Sequence, residues 1–214
     1  MSRIFLVSYC DNEDIDLLKQ MYSECDVVVG VDQGAEILLR NGLSPDYVIG
    51  DFDSFQIDKS VLSESCQIIT LHPEKDESDL EYAIWLVECS IINTSVEAPE
   101  IIIFNNLQGR IDHVLTTVFL LETHQNVRIV NATQEVCLVD KHFSMKLPPN
   151  TCISLIPVSD EVNGVSTEGL YFKLVNETLH RNSSRGLSNK VVDKNVAVNF
   201  SDGKLLVVVN YEVR

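Results

Sequence analysis

Two acidic residues at the end of a short extended run are the first sign of chemistry in this chain. Gly50-Asp51-Phe52-Asp53-Ser54 follows residues 46–49, a run introduced by Pro45. Gly50 lets the backbone turn sharply or approach a ligand closely. In extended geometry residues two apart share a side, so Asp51 and Asp53 can present both carboxylates to one hard cation. Spacing alone does not make a metal site. The chain holds 32 Asp and Glu, and Asp14-Ile15-Asp16 repeats the pattern on a helix that reads as solvated. The weight comes from partners downstream. Lys75-Asp76-Glu77-Ser78-Asp79 opens a helix on which Asp79 can join Asp51 and Asp53 as an oxygen ligand, while Asp76 also suits an N-cap. The helix dipole disfavours Lys75 at that end, and a bound phosphate would account for it. Gly109-Arg110-Ile111-Asp112-His113 joins a loop glycine to a helix start, where free N–H groups attract anions and Arg110 can add bidentate phosphate contacts. Asp112 fits an N-cap as well, and His113 fits an ordinary first-turn polar residue. Carboxylates for a cation, with Lys and Arg for phosphates, point to metal-assisted chemistry on a nucleoside triphosphate. Neither a Walker A sequence nor G-x-G-x-x-G occurs, so the familiar phosphate cradles are absent.

The elements that must position these clusters read as alternating strands and helices. Apolar runs at residues 4–7, 27–29, 46–49, 67–71, 100–104 and 127–131 suit buried strands. Between them lie helical stretches. Residues 11–21 would turn Ile15, Leu18 and Met21 inward and their acids outward. A helix after Asp32-Gln33-Gly34-Ala35 would bury Ala35, Leu38 and Leu39. Another is expected around residues 57–62. Leu80, Ala83, Ile84, Val87 and Ile91 mark one face of a 3.6-residue period, and a helix over 111–122 would bury Leu115, Val118 and Phe119. This alternation predicts a mostly parallel sheet covered on both sides. In such sheets ligands sit beyond the carboxyl ends of the strands, which would bring the three clusters to one edge. From about Thr133 the texture changes to short alternating strands (136–139, 143–146, 152–157, 196–200, 205–209) separated by Pro, Gly, Asn and Asp. That half reads as a small all-β sandwich or barrel.

At 214 residues with 45% hydrophobic content, the chain can build one large domain or two small ones. Its formal net charge of −16 argues against nucleic acid or an anionic membrane as partner, though not against a nucleotide accompanied by Mg²⁺. No apolar run approaches the roughly 18 residues that span a bilayer. Residues 3–10 are too short for a signal peptide and run straight into acids, and the six cysteines are scattered without a C-x-x-C pair. The expectation is a cytoplasmic protein.

Four motifs in order, Asp32 to Ala35, Gly50 to Ser54, Lys75 to Asp79 and Gly109 to His113, resemble the thiamin pyrophosphokinase family. Its motifs are an Asp-x-Gly-Ala turn, a Gly-Asp-x-Asp-Ser turn, a Lys-Asp-x-Thr/Ser-Asp helix start and a Gly-Arg-x-Asp-His helix start. The second half is similar too, in Leu155-Ile156-Pro157, in Gly169-Leu170-Tyr171-Phe172 and in Gly186-Leu187-Ser188-Asn189. The resemblance implies an α/β plus all-β architecture. An N-terminal, mostly parallel α/β/α Rossmann-like domain (1–132) would bind nucleotide and catalyse, and a C-terminal antiparallel β-sandwich (133–214) would bind thiamin. It implies transfer of pyrophosphate from ATP to the thiamin hydroxyl, giving thiamin diphosphate and AMP, in a homodimer. Asp51, Asp53 and Asp79 would hold Mg²⁺, supported by Asp76 or Asp112, and Lys75 and Arg110 would offset phosphate charge. Asp79 or Asp112 would orient the hydroxyl or take its proton. Asp32, Gly34, Ser54, Lys75, Asp76, His113, Phe172, Ser188 and Asn189 would contact the nucleotide or thiamin, with Phe172 or Tyr171 stacking on the pyrimidine; core packing is the other role open to Phe172.

The chain departs from the family pattern at Gln33, at Asn105-Asn106 with Gln108, and at Thr117. These changes touch loop geometry and spare the acidic and basic residues. Rival readings are pyrophosphate transfer to another small alcohol such as a hydroxymethyl pterin, a non-catalytic nucleotide or thiamin sensor, and a metal-dependent phosphatase. The last wants a nucleophilic carboxylate at the first strand end, which residues 4–8 lack.

Overall fold

Residues 4–7 and 101–104 are apolar at every position, as a strand covered on both faces requires, and in the computed structural model all eight are buried. The structure describes residues 3–23, 26–52, 62–91, 99–124 and 126–211, in two units, Met1–Ala132 and Thr133–Arg214. The helix expected around residues 57–62 lies almost wholly outside the described residues.

In the first unit, strands β1 (Arg3–Val7), β2 (Val27–Val31), β3 (Tyr47–Gly50), β4 (Gln67–Thr70), β5 (Glu100–Phe104) and β6 (Val127–Val130) form a parallel array in the order β6-β5-β1-β2-β3-β4. Helices α1 (Asn12–Met21) and α2 (Gln33–Arg40) follow β1 and β2, α3 (Asp79–Leu86) precedes β5, and α4 (Ile111–Phe119) links β5 to β6. Ile15 and Leu18 of α1 and Leu38 of α2 pack with Phe5, Val7, Ile102 and Phe104 in one core cluster. α3 buries Leu80, Ala83 and Ile84, then widens into a π-helical turn, Val87–Ile91. Gly34 sits so close to β1 that a Cβ there would lie 1.9 Å from the Val7 carbonyl oxygen. Only glycine fits, and its absence of side chain seats the start of α2 against the end of β1.

Two helices differ from the pattern reading. Asp14 was expected to face water but is buried. The reason is reciprocal capping: Asp11 accepts the Glu13 and Asp14 N–H groups, Asp14 accepts the Asp11 N–H, and its other oxygen accepts the Ala132 N–H at 2.8 Å. α4 was expected to turn Leu115, Val118 and Phe119 inward. Instead Thr117 is buried on it, followed by Leu120 and Leu121 in a 3₁₀ turn, Leu120–Glu122. Ile111, Leu115 and Phe119 are 69%, 47% and 44% exposed.

The second unit is a two-sheet antiparallel sandwich. One sheet runs β12 (Asn189–Lys190), β9 (Cys152–Pro157), β14 (Leu205–Asn210), β7 (Gln134–Val139); the other runs β11 (Glu177–His180), β10 (Glu161–Glu168), β13 (Asn195–Asn199), β8 (His142–Lys146). Ile153, Leu155, Val207 and Val209 from the first sheet meet Phe143, Val162, Val165, Val196 and Val198 from the second in one core, with alternate residues facing in.

Asp26 anchors the entry to β2. Its carboxylate accepts Arg3 Nη2 at 2.6 Å and the Ser23 N–H and hydroxyl at 2.9 Å. Burial alone would raise this carboxyl, but the Arg3 and Ser23 donors outweigh it and hold it down at about 2. A depressed carboxyl lends stability above its unfolded pKa and loses it as pH falls through the folded one. Urea melts from pH 5 to pH 2 should therefore show the natural chain losing about 2 kcal/mol more than an Asp26→Asn variant.

Candidate active site

Where β2, β3 and α3 end or begin at the carboxyl edge of the parallel sheet, three carboxylates meet. Oxygens of Asp32, Asp51 and Asp79 lie within 4.8 Å of one another, all three residues half-buried. Local structure delivers each of them. Asp32 follows β2 with φ +50 and ψ −121, outside the left-handed helical region and strained for a residue with a side chain, and that side chain makes no cap bond to α2. Its backbone N–H donates to the Ile49 carbonyl at 2.7 Å, locking the ends of β2 and β3 together. A Cβ on Gly50 would meet Asp32 Cα at 3.2 Å, so glycine is what permits that approach. Ser78 caps α3 by accepting the Glu81 N–H, which leaves the Asp79 carboxylate for the cluster, where it accepts the Asp51 N–H at 3.3 Å. Lys75 makes an ion pair with Asp79, the two side chains only 14% and 15% exposed. Burial pulls the Lys75 ammonium down, yet Asp79, with the charges of Asp51 and Asp32, more than offsets this and raises it. Three carboxylates and one ammonium leave two negative charges, which one divalent cation would balance, and oxygen-only donors suit a hard ion.

The cluster opens into a cleft of about 840 Å³, within the size of small-molecule sites. Its lining runs from Asp32, Gln33, Asp51, Ser78 and Asp79 past Ser8 and Tyr9 to Asn105, Gln108, Gly109, Arg110, Asp112 and His113. All four sequence motifs therefore contribute residues to one cleft. Arg110, not Asp112, occupies the cap position of α4, and the two are joined by a two-point ion pair at 3.1 and 2.5 Å on the exposed rim. Arg110 foremost, with help from the His113 N–H, outweighs the opposing desolvation and holds the Asp112 carboxyl down at about 2.

Asp53 and Ser54 lie outside the described residues. Gly34 is buried against β1 and serves packing, and Asp76 is exposed ahead of the helix that Ser78, rather than Asp76, caps. Asp32 is the cluster member that spacing did not reveal as a ligand. Its signals were its place just after an apolar strand and the Asp-x-Gly-Ala motif, and neither marked it as a ligand. Ser8, Tyr9, Asn105 and Thr116 also line the cleft without having been singled out for it.

In the second unit, Tyr171 and Phe172 stand exposed with their rings edge to face, centroids 4.9 Å apart. Phe172 is 56% exposed, which sets aside the core-packing role. Asn189 is buried and spends its amide on the backbone: Oδ1 accepts the Phe172 N–H at 3.0 Å and the Lys190 N–H at 2.8 Å, and Nδ2 donates to the Phe172 carbonyl at 2.7 Å. Ser188 is exposed beside it, its N–H donating to Ser154 Oγ at 3.0 Å.

Comparison with known proteins matches residues 18–131 to the thiamin pyrophosphokinase catalytic domain and residues 141–205 to the thiamin pyrophosphokinase vitamin B1 binding domain. A thiamine pyrophosphokinase of Bacillus subtilis is 27% identical over 190 residues, covering 84% of this chain and 85% of that one. The crystal structure of thiamine pyrophosphokinase from Bacillus subtilis superposes with TM-score 0.84 at 24% identity over 99% of this chain and 100% of that one. That from Geobacillus thermodenitrificans gives 0.83 at 26% identity, over 99% and 98%.

Because Lys75 carries the balancing charge, its loss should be felt before any ligand binds. Lys75→Met should cost about 3 kcal/mol in urea melts run in a chelator, and millimolar Mg²⁺ should narrow the gap by supplying the missing positive charge.

Proposed function

Since the chain belongs to the thiamin pyrophosphokinase family, its activity is transfer of pyrophosphate from ATP to thiamin, and we propose that the acidic cleft of the first unit is where that transfer occurs. The observation that carries this is the convergence of Asp32, Asp51 and Asp79 beside Lys75, with Arg110 on the same cleft. In this reading Asp32, Asp51 and Asp79 hold Mg²⁺, with Asp53 a further ligand from the sequence. When bound, the ion supplies charge neutralisation across the triphosphate. Lys75 neutralises charge on the attacked β-phosphoryl group, and Arg110 releases Asp112 to take oxygens of the leaving AMP. The thiamin hydroxyl oxygen bonds to the β-phosphorus as the bond between that phosphorus and the α–β bridging oxygen breaks, and AMP leaves with the bridging oxygen. Asp79 or Asp112 orients the hydroxyl and receives its proton. Positioning and charge stabilisation supply the acceleration, as in phosphoryl transfer generally.

The exposed rings of Phe172 and Tyr171 stand edge to face, so one of them offers its face to the pyrimidine ring of thiamin while the other borders it. Asn189 contributes by holding the Phe172 backbone, since both polar ends of its amide are engaged there. The active form in this proposal is a homodimer. Support comes from α4, where Ile111, Leu115 and Phe119 fall at i, i+4 and i+8 and form an exposed apolar stripe on one helix face. A cytoplasmic setting is part of the reading, and the described cysteines, Cys10, Cys66, Cys89, Cys137 and Cys152, are all free. Among the described residues no helix is long and apolar enough to cross a membrane.

A mass-resolved assay with ATP, Mg²⁺ and thiamin should give AMP and thiamin diphosphate in equal amounts, and Asp51→Ala should lower the rate by at least about 100-fold. AMP without thiamin diphosphate would refute the acceptor assignment. Leu115→Glu, which places a charge in the apolar stripe, should shift the sedimentation coefficient from dimer to monomer without lowering the melting temperature of the monomeric unit. An unchanged dimer would show that α4 is not the contact.

A further inference from the structure

The phosphate-facing groups of the cleft do not account for an aromatic residue that lines it, Tyr9. Tyr9 is 50% exposed and lines the same cleft as the acidic cluster and Arg110. It stands where the sheet order reverses: from β1 the chain goes to β2 on one side, while β5 pairs on the other. In open parallel sheets this switch point forms a crevice at the strand ends, and nucleotides bind there.

The backbone around Tyr9 is unusually well held. The Ser8 N–H donates to the Phe104 carbonyl at 3.1 Å, the Asn106 N–H to the Tyr9 carbonyl at 2.8 Å, and Asn105 Nδ2 to Ser8 Oγ at 3.0 Å. Cys10, the next residue, is buried with its Sγ donating to the Phe104 carbonyl at 2.9 Å. The Asn105 side chain is committed on its other end as well, its Oδ1 accepting the Leu107 N–H at 2.8 Å. These bonds tie the ends of β1 and β5 together and leave an aromatic ring standing in the cleft on a rigid base. Among the described lining residues Tyr9 is the only phenyl or indole ring; the other lining ring is the His113 imidazole, beside Arg110.

We infer that Tyr9 is the platform on which the base of the nucleoside triphosphate stacks, making the β1/β5 crevice the nucleobase subsite. This rests on the proposed function, which places the triphosphate of the same molecule between the acidic cluster and Arg110. A ring face stacks on any planar heterocycle, so Tyr9 sets affinity for the nucleoside more than the choice of base. The exposed carboxamides of Gln33 and Gln108, which line the same cleft, are the groups available to read base edges.

The test is calorimetric titration of AMP and of inorganic pyrophosphate into the natural chain, Tyr9→Leu and Tyr9→Phe, together with KM and kcat for ATP and for thiamin. Tyr9→Leu keeps apolar bulk and removes the ring. It should weaken AMP binding and raise the KM for ATP by about tenfold, leaving pyrophosphate binding and kcat near their starting values, and Tyr9→Phe should restore both. AMP affinity unchanged in Tyr9→Leu would overturn the subsite, and so would a rise in the thiamin KM in place of the ATP KM. If the natural chain binds AMP through Tyr9 but makes no thiamin diphosphate, the subsite stands and the proposed acceptor falls.

Discussion

Like charges crowd one edge of the parallel sheet, and the first unit is built around keeping them there. Two unit charges about 4.8 Å apart repel by roughly 3 kcal/mol at an effective dielectric constant near 20; Asp32, Asp51 and Asp79 hold three such pairs within that distance. Lys75 offsets much of this from within the cluster, and the remaining two negative charges make the site receptive to a divalent ion and, through it, to a polyphosphate. The larger field points the same way. Acids and bases balance in residues 133–214, so the whole formal charge of −16 belongs to residues 1–132. An anion approaches such a surface only if cations meet it at the point of binding.

Holding repelling groups together takes rigid backbone, and the surroundings of the cluster provide it. The Asp32 N–H on the Ile49 carbonyl, the close approach that Gly50 permits and the seating of α2 against β1 by Gly34 all act within two residues of a strand end. The strands behind them are buried beyond their first residue, over residues 4–7, 28–31 and 48–50. The same logic recurs in the second unit, where a buried amide, Asn189, fixes the backbone of an exposed ring, Phe172. In both places buried hydrogen bonds keep exposed chemistry in position.

Much of this was legible in the sequence where one local rule decides. Unbroken apolar runs marked β1 and β5, and Asp51, Asp79, Arg110, Asp112 and His113 were found from their places at strand ends and helix starts. Asp32 was expected from the resemblance to contact the nucleotide or thiamin but was not placed in the carboxylate cluster, because only the side-by-side pairing of β2 and β3 brings it to Asp51. α4 is apolar on two faces. Periodicity could not choose between the face with Thr117 and the one with Leu115 and Phe119, and the fold buries the former. Asp14 defied its charge because capping and the Ala132 N–H satisfy it in the interior. In the second unit β10, β11 and the two-residue β12 were missed, since polar residues such as Asn163, Ser166, Glu177, Thr178, Asn189 and Lys190 blur the alternation that marks a strand.

The central claim is that Asp32, Asp51 and Asp79 bind a divalent ion together with the triphosphate. It is tested most directly by a crystal structure with Mn²⁺ and an ATP analogue carrying a methylene group between the α- and β-phosphorus atoms, which blocks the bond that must break. The account predicts an anomalous Mn²⁺ peak within coordination distance of at least two of these three carboxylates and of the analogue's phosphate oxygens. A peak elsewhere, or an analogue bound away from the cleft with the three carboxylates unligated, would contradict it.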